Sequence, residues 1–167
     1  MSKLCPVLLL VLLFTAGCAT HAPKRLSVGS TKNIRTTAYT HTEPGGRNSA
    51  CGRPLRCSQI HSAAADWSRY PVGTRFQIIN TGEICEIDDY GSALVGTDTI
   101  DLYKNSRAGM NRWGVRIVQI KILQWGSNTR SLEILLPRAW NPHVGRMVDA
   151  LRMKTPGFPA RMHRVNS

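Results

Sequence analysis

The sequence predicts a mainly β protein, a closed or nearly closed barrel of short strands with one small helix. Three observations carry that expectation. Val118, Ile120 and Ile122 alternate with Gln119 and Lys121, the period of a half-buried strand. β-favouring segments recur, each closed by a turn signal: residues 36–40 run into Thr42-Glu43-Pro44-Gly45-Gly46, and 75–80 face 83–88 across Thr81-Gly82. Fourteen Gly and nine Pro supply turns, while 42% hydrophobic residues suffice for a packed core in a chain of 167.

In chain order, residues 1–17 read as an export signal. A basic start (Lys3) precedes an apolar run over 7–14, continued by Thr15, Ala16 and Gly17. Such a run is about 15 Å long as a helix, too short for a hydrocarbon core of about 30 Å. Thr15-Ala16-Gly17-Cys18 resembles a bacterial lipobox with Cys18 as the lipidated residue, although Thr15 stands where Leu is usual. A plain signal-peptidase site is the alternative. Ala19 rather than Asp after that Cys resembles outer-membrane sorting, which places the protein in the cell envelope facing the periplasm. Residues 18–33 are polar and read as a tether, 34–126 as the barrel, and 127–167 as a basic extension.

Within the barrel, strands are expected at 36–40, 60–66, 75–80, 83–88, 99–103 and around 118–122. A helix is expected over 106–113, stopped by Gly114. Cys51 and Cys57 enclose a short loop and are the candidate disulfide of an exported protein, leaving Cys85 as a buried thiol. No Cys-x-x-Cys pair or close Cys/His spacing points to a metal. His41 and His61 are expected to face solvent. In the extension, Leu132, Ile134 and Leu136 alternate as in an added strand, and Val144, Met147, Val148 and Leu151 recur at helical spacing. A loosely ordered, solvated tail is the competing expectation. Its net +5 suits adhesion to an anionic glycan or a lipid surface.

The whole chain carries 22 Lys plus Arg against 10 Asp plus Glu, a net +12 that favours anionic partners. Export argues against nucleic acid and for anionic wall polymer or lipid. Against this basic background, residues 86–103 gather four aspartates, Asp88, Asp89, Asp98 and Asp101, beside Glu86, with Gly91 and Gly96 allowing sharp turns. Carboxyls brought together raise one another's pKa, so one can stay protonated and act as a general acid. Capping of turn amides is the alternative role for such aspartates.

Six sequence blocks give this pattern a family resemblance. They are Thr37-Ala38-Tyr39-Thr40; Ala64-Ala65-Asp66; Tyr70-Pro71-Val72-Gly73-Thr74; Asp89-Tyr90-Gly91-Ser92-Ala93-Leu94-Val95-Gly96; Ile100-Asp101-Leu102-Tyr103; and Trp113-Gly114. In order and spacing, residues 36–125 resemble the three-Asp (3D) domain. That family belongs to the double-psi β-barrel group, as does the catalytic part of membrane-bound lytic murein transglycosylase A; the expansin-like rare lipoprotein A group is more distant. The resemblance implies a six-stranded double-psi β-barrel with one or two short helices. It maps the three family aspartates onto Asp66, Asp89 and Asp101. It also implies cleavage of the β-1,4 bond between N-acetylmuramic acid and N-acetylglucosamine in peptidoglycan, with Asp101 as acid and base, Asp89 beside it, and no metal or organic cofactor. A non-catalytic peptidoglycan-binding lipoprotein is the alternative.

The chain departs from the family in three ways. Ser92 replaces the second Gly after Asp89. One residue is inserted between Gly96 and Asp101, so Asp98 competes for the catalytic register; Leu102-Tyr103 after Asp101 supports Asp101. The larger saccharide-binding domain of the transglycosylase has no counterpart. Tyr39, Tyr90 and Asp66 are the candidate substrate contacts. Core packing competes for both tyrosines, and capping of turn amides is the stronger reading of Asp66.

Overall fold

A computed structural model describes residues 26–43 and 46–159. The signal segment, Cys18 and most of the tether lie outside the described residues. Six strands form the barrel: β1 (Thr31–Tyr39), β2 (His61–Ala64), β3 (Arg75–Ile78), β4 (Ile84–Asp89), β5 (Ile100–Tyr103) and β6 (Arg116–Gln124). Every expected strand of the barrel is present. The first begins three residues before the expected barrel start, because Thr31, Lys32 and Asn33 pair with Lys121, Ile120 and Gln119 of β6. The β3–β4 hairpin turns where Thr81-Gly82 predicts, with Gly82 at φ +73° donating to Ile78 O at 2.8 Å.

The strands close in the order β1-β5-β2-β4-β3-β6. Two seams are parallel, β1/β5 and β2/β4, and the other four are antiparallel. Exchanging β1 with β4, β2 with β5 and β3 with β6 returns the same order and the same relation at every seam. The barrel is therefore two similar halves about a pseudo-twofold axis, the arrangement of a double-psi barrel. Its interior is filled by alternate residues of each strand, among them Ile34, Phe76, Ile78, Ile87, Ile100, Leu102, Ile120 and Ile122, all buried.

Among the described residues there are three α-helices, α1 (Arg107–Trp113) between β5 and β6, and α2 (Asn128–Leu135) and α3 (Pro142–Met153) after β6. The first matches its expected span. Ser106 caps it by accepting from Gly109 N, and Gly114 ends it at φ +60°. The added strand expected at 132–136 is instead α2. Ser127 accepts from Arg130 N at 3.0 Å and starts the helix, and Leu132 with Leu135 gives a helical stripe, both fully buried.

Residues 127–153 are also not a loose tail. Leu132, Leu135, Val144, Met147, Val148 and Leu151 belong to the same core cluster as the barrel interior. The joint is tight. Ser131 Oγ accepts from Val72 N at 3.0 Å, and Ser127 N donates to Val72 O at 3.1 Å. A Cβ at Gly126 would lie 2.2 Å from Val72 O and 2.3 Å from Pro71 O, so only glycine fits there.

Candidate functional site

The strand period builds the site. On β1, Ile34 and Thr36 point into the barrel, while Arg35, Thr37 and Tyr39 take the other face and line a groove of about 630 Å3. Asp101 on β5 lies beside Thr37 across the parallel seam and opposite Ala64 of β2 across the antiparallel one. Both neighbours are small, which leaves the carboxyl open to the groove. Thr37 Oγ1 donates to Asp101 Oδ1 at 2.6 Å. Burial pushes the Asp101 carboxyl above its usual range. The Thr37 hydrogen bond opposes this, the charges of Glu43 and Asp89 add to it, and Arg35 offsets part.

Asp88 and Asp89 are adjacent yet do different work, and a bulge separates them. Ala63 pairs with Ile87 and Ala64 with Asp89, so Asp88 is an extra residue in the β2/β4 register. Asp88 is fully buried, accepting from Ser62 Oγ at 2.8 Å and pairing with Arg56 at 3.2 Å. Asp89 turns into the groove beside Asp101. It accepts from Tyr39 Oη at 3.2 Å, Ala50 N at 3.0 Å and Tyr90 N at 2.9 Å. Burial raises its pKa against these three hydrogen bonds and the charge of Arg138. Burial raises both carboxyls, but Asp89 accepts three hydrogen bonds whereas Asp101 accepts one.

Asp101, Asp89, Tyr39 and Tyr90 all line the groove. Tyr39 packs edge-on against Tyr103 at 5.6 Å, and Tyr90 against Trp67 at 5.3 Å, so both rings are fixed. Asp66 does not line it. At 3% exposure, its two oxygens accept from Ser68 N at 2.8 Å and Gly96 N at 2.7 Å. The structure places it behind the 92–97 loop, which it holds in shape. Asp98 is also elsewhere, bound by Lys32 and by Tyr70 Oη.

Cys51 and Cys57 are free thiols, so the expected bridge is not formed. Each faces its own partner instead. Cys57 Sγ lies 3.5 Å from His61 Nδ1, which takes His61 out of the solvent-facing role expected of it. Cys51 sits by Arg53, with its thiol pushed up by burial. His41 Nδ1 meets Tyr103 Oη at 3.0 Å. Among the described residues, no group of three or more His, Cys, Asp or Glu is placed to hold a metal.

The groove residues that the sequence did not assign to the site include Arg35, Thr37, Glu43 and Arg138. Arg35 and Thr37 were findable, since they precede Tyr39 by four and two residues on one strand face. Arg138 carried no local signal. It enters from the extension, where its Nη1 donates to Ala50 O at 3.0 Å. Ala50 N holds Asp89 at the same time, so the extension is wired to the acidic pair through the backbone of one residue.

No protein-family model and no curated protein sequence matches the chain. Among solved structures, that of apo expansin from Clavibacter michiganensis is similar, with a TM-score of 0.41 and 12% identity. The match covers 57% of this chain and 51% of that one, so the chain spans about half of that expansin's length.

Proposed function

We propose that this chain is an exported envelope lipoprotein, related through its motifs to the three-Asp domain, that cleaves peptidoglycan glycan strands as a lytic transglycosylase. One observation carries the reading: Asp101 is a loosely tied carboxyl of raised pKa on a groove where the neighbouring carboxylate, Asp89, is saturated by donors. Hydrolysis of a glycoside ordinarily uses two working carboxyls. Within the Asp89–Asp101 pair only Asp101 is lightly held, which suits chemistry in which the substrate supplies its own nucleophile. Protonated Asp101 donates to the glycosidic oxygen between N-acetylmuramic acid and N-acetylglucosamine as the C1–O bond breaks. The C6 hydroxyl of the muramic acid then bonds to C1 and returns its proton to Asp101. The enzyme ends as it began, no water is consumed, and the product carries a 1,6-anhydro ring.

Purified peptidoglycan incubated with the full chain is expected to release muropeptides one water lighter than hydrolysis products, read by mass spectrometry. Asp101→Asn keeps the shape and removes the proton, so release stops while sedimentation with the polymer persists. Asp89→Asn weakens release less. Undiminished anhydro-product from Asp101→Asn overturns the mechanism. Binding by the wild type without any release leaves the non-catalytic binding reading in its place.

A further inference from the structure

A second cavity of about 320 Å3 opens where the extension meets the barrel. Tyr90, Ser92 and Arg138 line both this cavity and the main groove, so the two form one continuous trough. The far end is formed by Trp140, Asn141 and His143. Trp140 is 84% exposed, whereas Trp67 and Trp113 are buried. An indole left in water on a tightly built turn is a large apolar face without a cover. The turn is fixed on both sides. Asn141 N donates to Arg138 O at 3.0 Å, and Asn141 Oδ1 caps α3 by accepting from His143 N at 2.9 Å, with Pro142 at the first helical position.

Charge lies next to the ring. Arg138 carries five N–H donors, one of which goes to Ala50. Arg146 Nη2 reaches His143 Nδ1 at 2.7 Å. The trough therefore joins a flat aromatic face to a cationic one, with Arg138 between the ring and the acidic pair. That combination fits a ring with an apolar face and a carboxylate substituent.

We propose that the helical extension supplies a second saccharide subsite, with Trp140 stacking on a hexosamine ring and Arg138 taking the carboxylate of its ether-linked lactyl substituent. The proposal rests on the reading of the groove as a glycan site and extends it beyond the cleaved bond. It also assigns the 127–153 segment a role: the short chain builds its second binding wall from two helices.

The test uses the full chain carrying Asp101→Asn, so that ligand persists. Soluble fragments of alternating N-acetylglucosamine and N-acetylmuramic acid, two, four and six sugars long, are titrated by calorimetry. Adding Trp140→Ala is expected to weaken the hexasaccharide about tenfold and leave the disaccharide unchanged. The melting temperature should not move, because the ring is exposed. Uncharged chitohexaose should show the Trp140 effect but no loss with Arg138→Gln. Equal affinities with and without Trp140 overturn the subsite and leave the groove reading intact. Failure of the parent to bind any fragment overturns both. Vesicles of phosphatidylglycerol and phosphatidylethanolamine form a third arm. If Trp140→Ala weakens vesicle binding and not hexasaccharide binding, the surface faces lipid and the subsite is overturned.

Discussion

Asp101 owes its character to what surrounds it. Burial raises its pKa and Thr37 holds it down. Thr37→Val removes that hydroxyl, so the Asp101 carboxyl rises further and stays protonated to higher pH. The basic limb of the pH–rate profile for anhydro-muropeptide release is expected to move to higher pH, with about 1 kcal/mol of stability lost in a denaturant melt. A limb that stays put or moves down refutes the acid role. The stability of the fold carries the same sign. Burial raises Asp88, Asp89 and Asp101 above their unfolded values. Their contribution is full below the unfolded carboxylate range and is lost as pH rises through their folded values. Glu86 behaves oppositely. Burial pushes it up, but Arg75, Arg56 and Arg53 outweigh that and hold it low, so its contribution is lost on acidification.

Elements reveal what a sequence states and what it leaves to the fold. Strands with alternating or turn-bounded patterns were legible, because side-chain period and glycine placement are local. The bulge that parts Asp88 from Asp89 was not, since it exists only against β2. Leu132, Ile134 and Leu136 alternate, but Leu135 is apolar too, and the Ser127 cap with burial against the barrel decides for helix. The role of Asp66 likewise depends on a distant partner, Gly96, whose N–H it accepts. The extension yields a direct test. Its six buried apolar side chains contribute about 1.5–3 kcal/mol each by burial. Deleting residues 127–167 is expected to lower the melting temperature sharply or abolish a cooperative melt by circular dichroism. An unchanged melt would show that the barrel needs no help from the helices.

For the whole molecule, charge and compartment belong together. A net +12 suits the anionic wall polymer proposed as its partner, and the proposed lipid on Cys18 would keep it at the membrane that borders that polymer. No helix among the described residues is long and apolar enough to cross a membrane. Expressed in a bacterial host, the wild type is expected in the membrane fraction, with Cys18→Ser moving to the soluble one. Identical fractionation of the two removes the anchor. The closed barrel was legible at this scale from strand count and turns, whereas the shared core was hidden, because nothing local in 127–153 says which surface it covers.

The pseudo-twofold axis has a consequence for traffic through the groove. β2 and β5 are partners under it, and they meet with a methyl at Ala64 facing a carboxyl at Asp101. A floor of equal halves would greet a polymer identically whichever way it was threaded. This one does not, and Trp140 breaks the equality again from one flank. A glycan strand has a reducing and a non-reducing end. On the proposed function, a strand lying in this trough would have one polarity that presents the scissile oxygen to the proton and the next ring to the indole together. The divergence of two like halves is thus what makes the trough a one-way track.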